Sequence, residues 1–84
     1  MMTHIYVLDM EEFHPFVQYA RDEGYKVTQP VPGYWKIAGE GDLRFRRKEA
    51  GLNAALWNTV LGAGISGDIT HFDKYEMVIG QAAA

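Results

Sequence analysis

Eighty-four residues give room for one domain built around one core, and 48% apolar, 13% aromatic and 23% charged residues are globular proportions that argue against a disordered chain or a membrane-embedded one. The absence of cysteine excludes a disulfide framework, a thiolate metal site and a cysteine nucleophile, and points to a reducing, cytoplasmic setting. A net charge of -3 argues against a protein dedicated to the phosphate backbone of nucleic acid.

The opening MMTHIYVLDMEEF has no basic region ahead of an apolar run, so it reads as neither a signal peptide nor an anchor. Within it, THIYVLDM (3–10) is rich in β-branched and aromatic residues with little alternation, which predicts a strand near the middle of a sheet. Phe13, Phe16, Val17 and Ala20 then fall at i, i+3, i+4 and i+7, the apolar stripe of a helix from about residue 12 to Glu23. Pro15 is tolerated in its first turn, and Gly24 is placed to end it as a left-handed cap. A short strand follows at Tyr25 to Gln29, kept from the centre of a sheet by Pro30 and Pro32. Beyond Gly33, Trp35 and Ile37 alternate with Tyr34 and Lys36, GEGD makes a turn, and Leu43 and Phe45 alternate with Arg44 and Arg46. The expectation is a hairpin between these two segments, with one face in the core and the other in water.

RKEAGLNAALWNTVLG reads as a second helix from about Arg47 to Leu61. Leu52, Ala55, Leu56 and Val60 form its core stripe, and Ala54, Trp57 and Leu61 form a second apolar group, which predicts an interface anchored by an exposed Trp57. The segment 69–79 has strand composition, either as a hairpin turning at Asp73-Lys74 or as one bulged strand, and residues 81–84 read as a frayed tail. Residues 1–80 therefore make a single two-layer α+β domain. Its expected form is a largely antiparallel sheet of four to six short strands with two helices on one face, a split β-α-β arrangement of ferredoxin-like type.

Few chemistries survive their context. The glycines of GAGISG (62–67) have the spacing of a dinucleotide fingerprint, but they follow a helix and lead into a strand, the reverse of what phosphate binding at a helix start requires. Ser66 lies in GISGD and not in the nucleophile-elbow pattern. None of His4, His14 and His71 has metal-ligand spacing. His4 and His71 lie on predicted strands that could pair, with Asp9, Asp68 or Asp73 as possible partners. Arg46, Arg47 and Lys48 stand where the second helix should begin, a positive end that ordinarily attracts acids, so a small phosphate or carboxylate is expected there. Lys36 and Arg44 would extend that patch. DLRFRRKEAG lacks the glycine-aromatic signature of an RNA-recognition strand, which argues against nucleic acid as a partner. The sequence thus predicts a small, non-catalytic interaction or regulatory module, without cofactor or metal, that pairs as a homodimer and has room for a protein partner. The alternatives are a small-anion-binding domain and a small enzyme whose site is completed at the dimer interface.

Overall fold

The computed structural model describes residues 2–80, so the predicted tail at 81–84 lies outside the described residues. The chain runs through β1 (Met2–Leu8), a 3-10 turn at Glu11–Phe13, α1 (His14–Asp22), β2 (Lys26–Val31), β3 (Tyr34–Glu40) and β4 (Leu43–Arg46). It continues through α2 (Ala54–Thr59), which tightens into a 3-10 turn at Val60–Ala63, then β5 (Ile65–Ser66), β6 (Asp68–Phe72) and β7 (Glu76–Gly80). The result is a small α+β domain with two antiparallel sheets, of order β2-β3-β1-β5 and β4-β7-β6. In the first sheet, β1, α1 and β2 form a split β-α-β unit with β3 between the two strands.

Local chemistry sets most of these elements. Phe16, Val17 and Ala20 bury one face of α1, and Pro15 sits in the first turn, where a missing N–H costs nothing. At its other end Gly24 takes φ 84, and the amides of Gly24 and Tyr25 donate to the carbonyls of Arg21 and Ala20, which closes a Schellman cap. The prolines hold β2 at a sheet edge, and Gly33 (φ 92) turns β2 into β3. Ile5, Val7 and Ile37 from the first sheet meet Leu43, Phe45, Met77 and Ile79 from the second in one core, and Phe16 stacks on Phe45 with ring centroids 4.4 Å apart.

Three expectations are corrected. The hairpin between Tyr34–Glu40 and Leu43–Arg46 does not form, because both edges of β3 are already taken, by β1 on one side and β2 on the other. The chain turns at Gly41 (φ 81) and delivers β4 to the second sheet, where Leu43 pairs with Ile79. Second, no continuous helix spans Arg47 to Leu61. Residues 47–51 form a single turn that Gly51 (φ 73) ends, and α2 starts afresh with Asn53 as its cap, whose side chain accepts the Leu56 amide at 2.9 Å. Third, Trp57 is 1% exposed and is no interface anchor. Its ring stacks on Phe72 at 5.7 Å and its Nε1 donates to the Asp73 carbonyl at 2.7 Å, so the turn between β6 and β7 folds over it within the chain. Leu61 packs against the same core, which leaves only Ala54 of that apolar group exposed. The segment 69–79 is a hairpin that also carries a bulge, between Ile69 and His71.

Candidate functional site

The cations expected at one helix start are dispersed. Arg47 is a structural tie: its Nε donates to the Lys74 carbonyl at 2.7 Å and its Nη1 to the Leu52 carbonyl at 3.4 Å, fastening the β6–β7 turn. Arg44 and Arg46, on β4, lie 3.6 and 3.5 Å from the two oxygens of Glu76, and Arg46 is also 3.7 Å from Glu49. They line a cleft of about 390 Å³ that also holds Glu23, Asp42 and Glu49, so an entering anion would meet three carboxylates. Tyr19 in the same cleft has its phenol pushed up to about 12, by burial and then by its hydrogen bond to Glu23 and the charge beside it. Lys48 is exposed beside Glu49 and Glu76. With the helix beginning at Ala54, none of these side chains stands at its start.

Lys36 belongs to a different surface. Along β1 the odd residues Thr3, Ile5 and Val7 are buried, which turns His4, Tyr6 and Leu8 to the opposite face of the first sheet. The register places Lys36 opposite Tyr6 and Thr28, and Ala38 opposite His4 and Lys26, so these side chains share that face. The face is open, with Leu8 and Tyr34 each 39% exposed at one end. At its other end His4, Lys26, Thr28 and Lys36 surround a recess of about 170 Å³ floored by Ala38. No carboxylate lines it, and among the described residues neither lysine pairs with an acid. Burial and then the charge of Lys36 lower the pKa of His4, consistent with a positive recess. The ring of His4 meets Tyr6 edge-on at 5.3 Å.

No protein-family model matches the chain, and no curated protein matches it either.

The histidines do not come together: His4 is in the first sheet and His71 in the second. His71 pairs instead with Asp73 at 2.8 Å, and the other oxygen of Asp73 accepts the amides of Tyr75 and Glu76 at 2.7 Å, as a turn-forming aspartate does. Those amides, followed by His71, hold the Asp73 carboxyl below its usual range. Asp9 is a second hub. Its Oδ1 accepts Trp35 Nε1 at 3.0 Å and lies 3.2 Å from His14 Nε2, and its Oδ2 accepts Gln29 Nε2 at 3.0 Å. This ties the end of β1 to α1, β2 and β3. Among the described residues no group of three His, Asp or Glu is placed to hold a metal ion, and no helix is long and apolar enough to cross a membrane.

The GAGISG segment carries backbone geometry. The Gly64 carbonyl accepts the Tyr6 amide at 2.9 Å, and Gly67 (φ 141) passes the chain from β5 in the first sheet to β6 in the second. The reading of the sequence missed Lys26, Thr28 and the Asp9 hub. Alternation alone could have put Lys26 and Thr28 on one face, but only the pairing of β2 with β3 brings them to Lys36.

Proposed function

We propose that this domain is a non-catalytic binding module that receives an anionic group of its ligand or partner on the open face of the first sheet, between Lys26, Lys36 and His4. The observation that carries the reading is a recess with two lysines, a histidine and a threonine and no carboxylate in its lining. At about 170 Å³ it admits a phosphate, sulfate or carboxylate group and little more. The remainder of the ligand would then lie over Tyr6, Leu8 and Tyr34. Electrostatic focusing by cations on a partly desolvated surface favours such a group even on a chain of net charge -3.

Phosphate titration followed by NMR tests this. Saturable shifts of the His4 ring and of the amides of residues 26–28 and 36–38 are expected, lost in Lys26→Glu and Lys36→Glu and retained in Arg46→Ala. Shifts centred on residues 44–48, or none, would overturn it.

A second copy of the chain is the other partner to consider, and one observation favours a place for it. Of the four outer strands, β2 carries Pro30, β5 has two residues, and β4 is sealed by the Tyr25 hydroxyl, which accepts the Arg44 amide at 2.9 Å. β6 carries no proline, although a bulge interrupts its pairing between Ile69 and His71, and it presents Ile69 and Phe72 at 50% and 41% exposure. Antiparallel pairing of two β6 edges about a two-fold axis would extend the second sheet across a dimer. Light scattering checks it: a dimer that Ile69→Lys converts to monomer supports the edge, and a monomeric parent rules it out.

A further inference from the structure

A groove of about 490 Å³ lies on the other side of the first sheet, between α1 and the end of β3. Its walls are His14, Gln18 and Arg21, spaced i, i+4 and i+7 along the exposed side of α1, and Pro15, Val17 and Trp35 supply apolar surface. We propose that this groove binds a small, flat organic carboxylate, with the carboxylate on Arg21 and the ring against Trp35.

The arrangement offers that ligand a cation beside an aromatic ring. The Arg21 guanidinium carbon lies over the Trp35 ring, 5.2 Å from its centre, a cation–π contact that places the cation in the groove. Among the described residues it pairs with no carboxylate, although Asp22 is its chain neighbour; Asp22 instead accepts Gln18 Nε2 at 3.0 Å. A guanidinium without an acid partner can take a carboxylate through two parallel hydrogen bonds. The indole is fixed, because its Nε1 donates to Asp9, which holds His14 with the same oxygen. Two walls are thereby set before a ligand arrives, which reduces the ordering cost of binding. His14 and Arg21 are about 10 Å apart along the helix axis, the length of a two-ring acid. The volume falls within the range of small-molecule sites.

The two tryptophans make the test internally controlled. Each indole N–H has its own partner, Asp9 for Trp35 and the Asp73 carbonyl for Trp57, and each gives its own NMR signal. Titration with naphthoate is expected to move the Trp35 signal saturably at millimolar concentration and to leave the Trp57 signal in place. Arg21→Gln should weaken binding at least tenfold. Gln18→Glu, which sets a carboxylate in the groove without touching the core, should do the same. Neutral naphthamide should bind at least tenfold more weakly than naphthoate. Equal binding of naphthamide, unchanged affinity in both variants, or parallel movement of both indole signals would overturn the proposal. Arg21 and Gln18 are both exposed, so the variants are expected to keep the parent's dispersed spectrum, and that spectrum checks it.

Discussion

Thr3 is fully buried on the core side of β1, and its hydroxyl finds no partner among the described residues. An unpaired buried hydroxyl costs free energy and a methyl in its place does not, so Thr3→Val should leave stability unchanged or raise it by about 1 kcal/mol. Thr3→Ser, which keeps the hydroxyl and removes the methyl, should lower it by about 1 kcal/mol; urea melts of the pair distinguish these outcomes. Asp9 acts in the opposite sense. Hydrogen bonds from Gln29, Trp35 and His14, in that order, hold its carboxyl below the ordinary 3.8. A depressed acid contributes stability that is complete above the unfolded value and is lost as pH falls through the folded one. Asp9→Asn should therefore flatten the stability profile below pH 4, read by acid titration of the circular dichroism signal. His4 lies below its ordinary 6.5 through burial and then through Lys36. The unfolded chain binds more protons between the folded value and 6.5, so the contribution of His4 to stability rises with pH through that window and levels off above 6.5. Lys36→Met should raise the pKa of His4, and NMR titration of the ring checks the direction.

Within one segment, Gly62 and Gly67 separate permissive from obligatory glycine. A Cβ on Gly62 would meet nothing within 4 Å, so Gly62→Ala should be close to neutral. On Gly67 it would run into the Gly80 carbonyl oxygen, at a φ of 141 that side chains rarely adopt, and Gly67→Ala should cost about 2 kcal/mol or more in thermal melts. Removing the cap in Asn53→Ala should cost about 1 kcal/mol. These positions also show what could be read from the chain in advance. The stripe of α1, its Gly24 cap and the edge position of β2 follow from neighbours within a turn or two. Gly51 and Asn53 were equally local signals of a break and a new start, but the apolar periodicity running through them masked it. The fate of Trp57 was not local: an apolar group facing a partner and one facing the turn sixteen residues further on have the same spacing. Alternation at Leu43 and Phe45 likewise told which way they face, and it could not say that β3 had no edge left to offer. The recess and the groove depend on such pairings, so neither was legible.

At the scale of the molecule, one core is shared by two sheets that the chain enters and leaves, at Gly41 on the way out of the first and at Gly67 after its return through β5. The open face and the groove lie on opposite sides of the first sheet, whereas the β6 edge belongs to the second. Substitutions in the recess should therefore leave naphthoate binding in the groove within a factor of about two, since separated sites without shared partners are close to independent. Naphthoate titration of Lys36→Glu measures this. The pairing of β4 with β7 has another consequence. Arg46 is aligned with Glu76, thirty residues further along, and nothing nearer in sequence completes that ladder. During synthesis β4 emerges with Leu43 and Phe45 uncovered and waits about 2 to 6 seconds, at ordinary elongation rates, for the strand that protects it. Until Glu76–Gly80 arrives the apolar face of β4 has no strand to pair with, so closure of the second sheet is a long-range step that comes late in folding.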